Sequence, residues 1–152
     1  MVFSQKQRQV LTWWRPGSPH REKQAIICDG AVRSGKTLCT GLSFFCWAMC
    51  SFQSRNFALC GRTIQSVRRN LLSELLPLLE RMGFRCDQKV SRNMILVRLG
   101  GRWNQFYLLP YISVRGCIPP TTRPAWSAAA ARAGWWAWWA SAPRPRRERS
   151  RP

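Results

Sequence analysis

At 152 residues, 45% of them hydrophobic, the chain has room for one domain with a real core and little more. Lys and Arg outnumber Asp and Glu 25 to 6, a formal charge of +19 that points to a polyanionic partner, with nucleic acid ahead of an anionic membrane surface. Seven cysteines, an odd count without a C-x-x-C pair, exclude a disulfide framework and fit buried free thiols in a reducing compartment.

The opening residues, MVFSQKQRQVL, are basic and lack the apolar run of a secretory signal. Within them, Phe3-Ser4-Gln5-Lys6-Gln7 lies about twenty residues ahead of the next apolar run. Many nucleic-acid motors use a glutamine so placed to read the adenine edge, which makes Gln7 a candidate for base contact. Gln7 fits equally well as a polar residue in the first turn of a surface helix reaching Trp14. Residues 25–28 form a short apolar run that enters a glycine, and residues 36–49 are helix-permissive and largely apolar. Between them, Gly30, Ala31, Val32, Arg33, Ser34, Gly35, Lys36 and Thr37 satisfy G-x-x-x-x-G-K-[ST] in the strand–loop–helix setting this phosphate loop needs. Glycines let the backbone fold around an anion so that its N–H groups and the helix N-terminus face the phosphates. Lys36 is placed for the β and γ phosphates, and the Thr37 hydroxyl for Mg²⁺. ATP is preferred over GTP because no N-K-x-D-type guanine-reading element occurs. Arg33 can stabilise a transferring phosphate as an arginine acting in cis, or it can be an exposed arginine facing solvent.

A second apolar run at 57–60, closed by Gly61, predicts another strand. Ile64, Val67, Leu71, Leu75, Leu78 and Met82 then recur at three- and four-residue steps, predicting a helix over 64–82 that Pro77 kinks or splits. Thr63 suits its N-cap and Gly83 its stop. Arg62, Arg68 and Arg69 fall where they could face a nucleotide or a DNA backbone, or simply solvent. Alternating strands and helices give an α/β class with βαβ units and a parallel sheet with flanking helices, incomplete in this chain. Residues 94–99 and 103–109 flank Gly100-Gly101 and predict a tight β-hairpin that decorates or extends that sheet.

Composition changes at 110. Residues 110–152 hold five Trp, nine Ala and seven Pro without a coherent period, and are expected to be a disordered basic tail. The span 125–142 is its only apolar stretch, and it is interrupted by Arg132 and too Ala-rich for a transmembrane helix.

Taken in order, FSQKQRQVLTWW, AIICDGAVRSGKT, FALCGRTIQSVRRNLLSELLPLLERMGF and KVSRNMILVRLGGRWNQFYLL resemble the phage terminase large subunits of the PBSX-like group, over residues 3–109. The resemblance implies that residues 1–109 are the N-terminal part of a P-loop ATPase domain. Such a domain belongs to a motor that uses ATP and Mg²⁺ to move double-stranded DNA into a procapsid, with a metal-dependent C-terminal nuclease. It further implies a terminase small subunit and a portal protein as partners, and the cytoplasm of a bacterial host as location. Two departures stand out. Arg33 lies three residues before Lys36, whereas many terminases place the loop arginine four before the lysine. The apolar strand ending Asp-Glu, the Walker B element, does not follow the hairpin, and the last acidic residue before the tail is Asp87. Weak nucleotide binding without hydrolysis is therefore expected, in a chain whose residues 110–152 look like an out-of-frame reading of GC-rich DNA. Other readings are a helicase-like ATPase on nucleic acid, or a basic Trp-rich protein that binds nucleic acid or membrane.

Overall fold

The computed structural model describes residues 3–23, 25–29, 31, 34–110 and 138–139. Helix α1 (Gln5–Thr12) begins at Ser4 with a reciprocal cap in which Gln7 N–H donates to Ser4 Oγ and Ser4 N–H donates to Gln7 Oε1. Helix α2 (Lys36–Ser51) leads to strand β1 (Asn56–Gly61). A long helical segment follows as α3 (Ile64–Val67), a π-helical turn (Arg68–Leu72) and α4 (Ser73–Arg81). The chain then runs through β2 (Arg85–Lys89), a 3₁₀ turn (Val90–Arg92), β3 (Met94–Leu99) and β4 (Arg102–Pro110).

The sheet order is β2-β3-β4-β1, with a two-residue strand β5 (Trp138–Trp139) antiparallel to β1 at Ala58 and Leu59. Among the described strands only β1 and β4 pair in parallel, so the expected parallel sheet is mixed. The reason lies in Gly100 (φ 54°) and Gly101 (φ 82°), two adjacent positive-φ residues that turn β3 straight back into β4. The predicted hairpin thus supplies β4, the strand beside β1. Residues 25–28, expected as the strand entering the phosphate loop, are not in the sheet. They alternate in exposure, with Ile27 65% exposed, and no described strand pairs with them. A strand needs a ladder partner for its main-chain groups, and β1 already has β4 on one side and β5 on the other.

One face of the sheet carries the core. Phe57, Leu59, Ile95, Val97, Phe106 and Leu108 are buried against Phe44, Phe45, Ala48 and Met49 of α2 and the leucines of the segment after β1. Phe106 stacks on Phe45 at 4.2 Å and on Phe57 at 5.2 Å between ring centroids. The predicted 64–82 helix forms, but its irregularity precedes Pro77. At Arg68–Leu72 the hydrogen-bonding pattern widens, and Ser73 N–H donates to the Arg68 carbonyl five residues back. Pro77 itself stays inside α4, where its ring and missing N–H are accommodated beyond the wide turn.

Gly41 of α2 meets this segment with no room to spare. A Cβ built there would lie 2.8 Å from Leu71 Cδ1 and 3.1 Å from Leu75 Cδ2, both on fully buried leucines. Gly41→Val is therefore expected to lower stability by about 1–3 kcal/mol through overpacking, read as a fall in the denaturant midpoint at unchanged slope. A midpoint equal to that of the parent would show that the two helices separate freely.

Asn104 is the polar exception, wholly buried on β4 at a position that faces the core. Its Nδ2 donates to the Ala48 carbonyl (3.1 Å) and the Phe52 carbonyl (3.1 Å), while its Oδ1 accepts from Arg55 N–H (2.9 Å). One side chain thus ties the C-terminal end of α2 to the start of β1.

Among the described residues no helix is long and apolar enough to cross a membrane. The six described cysteines are free thiols, of which Cys39 and Cys60 are buried and Cys50 is exposed. Burial pushes the Cys39 and Cys60 thiols up, and neighbouring Cys28 adds to the effect at Cys39. The remainder of the tail, including 125–137 and 140–152 with its expected disorder, lies outside the described residues.

Candidate nucleotide site

Helix α2 starts at Gly35, whose φ of 74° is left-handed and whose missing side chain leaves the helix end without a side-chain cap. The first turn, Lys36 to Leu38, therefore presents main-chain N–H groups with no intrahelical acceptor. No acidic residue stands in that turn, so nothing within the turn itself opposes the positive end of the 16-residue helix. Those are the requirements of an anion site at a helix N-terminus.

The residues around it hold the loop closed on itself. Lys36 Nζ donates to the Ala31 carbonyl and, at 3.0 Å, to Ser34 Oγ, bending the ammonium over the loop that the sequence assigns to phosphates. Thr37 lies half-buried in the first turn of α2. Thr40 Oγ1 donates to the Lys36 carbonyl at 2.6 Å and lies 3.7 Å from Cys28 Sγ, which keeps the chain entering the loop against α2. Gly30, Val32 and Arg33 lie outside the described residues, so the arginine assigned to phosphate transfer has no placement here.

Gln7 comes to the loop from the far end of the sequence reading. Its Nε2 donates to the Ser34 carbonyl at 3.1 Å, while its Oε1 is held by Ser4 N–H at 2.8 Å. A Cβ on Gly35 would sit 3.3 Å from that same Nε2. Both ends of the amide are thus engaged, one on the start of α1 and one on the loop. Helix α1 is itself fixed to α2 by Ser43 Oγ, which donates to the Val10 carbonyl at 2.6 Å, and by Trp13 against Trp47 at 5.8 Å. It ends at Thr12, two residues short of the predicted limit.

The other arginines singled out in the sequence are dispersed. Arg62 is exposed after β1, Arg68 Nη2 donates to Asn93 Oδ1 at 3.3 Å, and Arg69 Nε donates to Asn70 Oδ1 at 3.2 Å. Sequence reading did not find the support that Gln7 gives the loop, because a capping box and a loop tether need the same side chain and only the fold brings residue 34 to residue 7.

Gln7→Glu separates these two roles. The carboxylate keeps the acceptor for Ser4 N–H but has no donor for the Ser34 carbonyl. Its melting temperature is expected to stay within a few degrees of the parent, with nucleotide affinity lowered several-fold in calorimetry. Unchanged affinity would assign Gln7 to the helix cap alone.

No protein-family model matches this sequence, and neither does any curated protein. Solved structures do. The chain is similar to the large terminase of a thermophilic bacteriophage in complex with ADP, with 42% identity and a TM-score of 0.70 over 71% of this chain and 27% of that one. The same large terminase in complex with ATP-γ-S gives 41% identity and a TM-score of 0.70 over 72% and 28%. A further crystal form of that phage terminase gives 41% identity and a TM-score of 0.71. The chain thus spans a little over a quarter of the length of the terminase chains it matches. In sequence and in fold together, it matches the N-terminal ATPase portion of phage large terminases.

Proposed function

We propose that residues 1–109 are the nucleotide-binding part of an ATP-driven DNA-packaging motor. The observation that carries this reading is Lys36 at a helix N-terminus without a side-chain cap or an acidic residue in its first turn, with its ammonium folded into the loop, where a phosphate would replace the Ala31 carbonyl and Ser34 hydroxyl as its acceptor. In this reading Lys36 contacts the β and γ phosphates, and the main-chain N–H groups of Gly30 to Thr37 surround them. Gln7 supports the loop and approaches the base, and Arg33 faces the transferring phosphate. Complexes of the similar terminase with ADP and ATP-γ-S support an adenine nucleotide as the ligand.

Mg²⁺ fits as a companion of the nucleotide. Thr37 supplies one hydroxyl, and the described residues assemble no group of three or more His, Cys, Asp or Glu side chains that could hold a metal ion. Magnesium keeps several waters and is commonly held by few protein ligands plus substrate phosphates, so the ion would arrive with the phosphates and neutralise their charge. Hydrolysis also needs a group that orients the attacking water, and no acidic cluster among the described residues offers one. We therefore read the chain as binding nucleotide without turning it over. Double-stranded DNA, the small subunit, the portal and the bacterial cytoplasm belong to this reading as partners and location of the whole motor, of which residues 110–152 form no working part.

Calorimetric titration of Mg·ADP into the purified 152-residue chain tests it, alongside a steady-state phosphate-release assay with Mg·ATP. Saturable 1:1 binding without phosphate release is expected. Absence of binding would refute the nucleotide reading, and sustained release would refute the absence of turnover.

A further inference from the structure

The face of the sheet turned away from the core carries a row of a different kind. Arg85 on β2 is paired with Arg98 on β3, and Arg98 is paired with Trp103 on β4. Directly opposed residues in antiparallel strands lie on one face with Cβ atoms about 5 Å apart, so two guanidinium groups and an indole stand side by side. Opposed like charges destabilise a sheet. Arg98 relieves this through an ion pair with Asp87, both side chains remaining about half exposed. The Arg85 guanidinium makes no hydrogen bond or ion pair among the described residues. Trp103, 37% exposed, is one of the few large apolar side chains at the surface among the described residues.

Arg85, Arg98 and Trp103, with Arg102 and Gly83, Gly100 and Gly101, line an open groove of about 310 Å³. The three glycines leave its floor clear, since a Cβ on any of them would meet nothing within 4 Å. Arg102 Nη1 donates to the Cys50 carbonyl at 2.8 Å, which fixes the groove to the C-terminal end of α2. The phosphate loop is at the other end of that helix, about 20 Å away at 1.5 Å per residue, so the two sites are separate.

We propose that this groove binds single-stranded nucleic acid, with backbone phosphates on Arg85 and Arg98 and an unpaired base stacked on Trp103. Guanidinium groups take phosphate oxygens in bidentate pairs. An exposed indole beside them accepts the face of a base, which a duplex keeps stacked inside. The formal charge of +19 favours the encounter. This inference does not depend on the nucleotide site and adds a contact for an unpaired strand to a reading whose partner is a duplex.

The test uses the full 152-residue chain and a fluorescently labelled twelve-nucleotide oligothymidylate, followed by anisotropy over a range of salt concentrations. A duplex of equal length is titrated in parallel, and Mg·ADP binding is measured on each variant. Trp103→Ala is expected to weaken oligothymidylate binding by roughly 5- to 100-fold, and Trp103→Phe to retain most of it. Arg85→Gln with Arg98→Gln should reduce the slope of log affinity against log salt by about 1.4, two phosphates at about 0.7 each. Mg·ADP binding should stay the same in all of them. If Trp103→Ala proves unfolded by circular dichroism, Arg85→Gln alone decides, since its side chain has no partner to lose. Unchanged affinity and slope in the folded variants would overturn the proposal. So would equal losses for the duplex, which would make the groove a general backbone contact.

Discussion

Lys36→Ala is expected to lower Mg·ADP affinity by roughly 100-fold or more while leaving the fold intact. A charged hydrogen bond contributes about 1.5–3 kcal/mol, and Lys36 would make more than one to the phosphates, so two factors of ten at about 1.4 kcal/mol each is a conservative sum. Without nucleotide the same ammonium bonds to the Ala31 carbonyl and Ser34 Oγ, in an exposed setting where water substitutes readily. The thermal midpoint should therefore move little, within the range of ordinary surface changes. Calorimetry beside a thermal melt separates the two quantities. Parent-like affinity in a folded Lys36→Ala protein would show that nucleotide, if bound, is held elsewhere.

The largest effect on stability is expected at Asn104. Asn104→Leu keeps the approximate volume of the side chain and removes all three of its bonds to main chain. The Phe52 carbonyl and the N–H of Arg55 then lose their partner at the junction of α2 and β1, whereas the Ala48 carbonyl keeps the Phe52 N–H. Each buried group left unsatisfied costs about 1–3 kcal/mol, and partial hydration at this part-buried junction holds the total for the two to about 2–4 kcal/mol. For a folded region of this size the midpoint should fall by more than about 10 °C. Asn104→Asp is expected to be worse, since its carboxylate cannot donate to either carbonyl and places a charge at a buried position. If Asn104→Leu melts at the parent temperature, the Asn104 bonds are being replaced by rearrangement of residues 52–55.

Much of this was open to reading in the sequence, and the failures have physical causes. The phosphate-loop spacing, the apolar helix behind it, β1 and the glycine-turn hairpin are local patterns, and local geometry produces them. Residues 25–28 have the composition of a strand but no partner among the described strands, and composition says nothing about partners. Strand β2 escaped notice because Arg-Cys-Asp-Gln-Lys presents little apolar surface and is held mainly by its ladder to β3. Asn104 was a single polar residue at an inward position between Arg102 and Phe106, a signal visible only with the alternation of β4 already in hand. Gln7 was a candidate for the right locality, but its contact with residue 34 required the fold. Arg85, Arg98 and Trp103 are separated in sequence and meet only through the register set at Gly100 and Gly101.

The wide turn at Arg68–Leu72 settles a mismatch of period. Val67, Leu71, Leu75 and Leu79 are all buried and recur every fourth residue. On a regular α-helix a full turn takes 3.6 residues, so such a row advances by about 40° at every step and by about 120° over three. That is enough to carry the last leucine from the core toward solvent. A turn closed by bonds to the fifth residue back holds more residues and rotates less for each, and it lies where this row begins. It works as a leap day does in a calendar: one extra residue is absorbed, and the count of the sequence returns to step with the rotation of the helix.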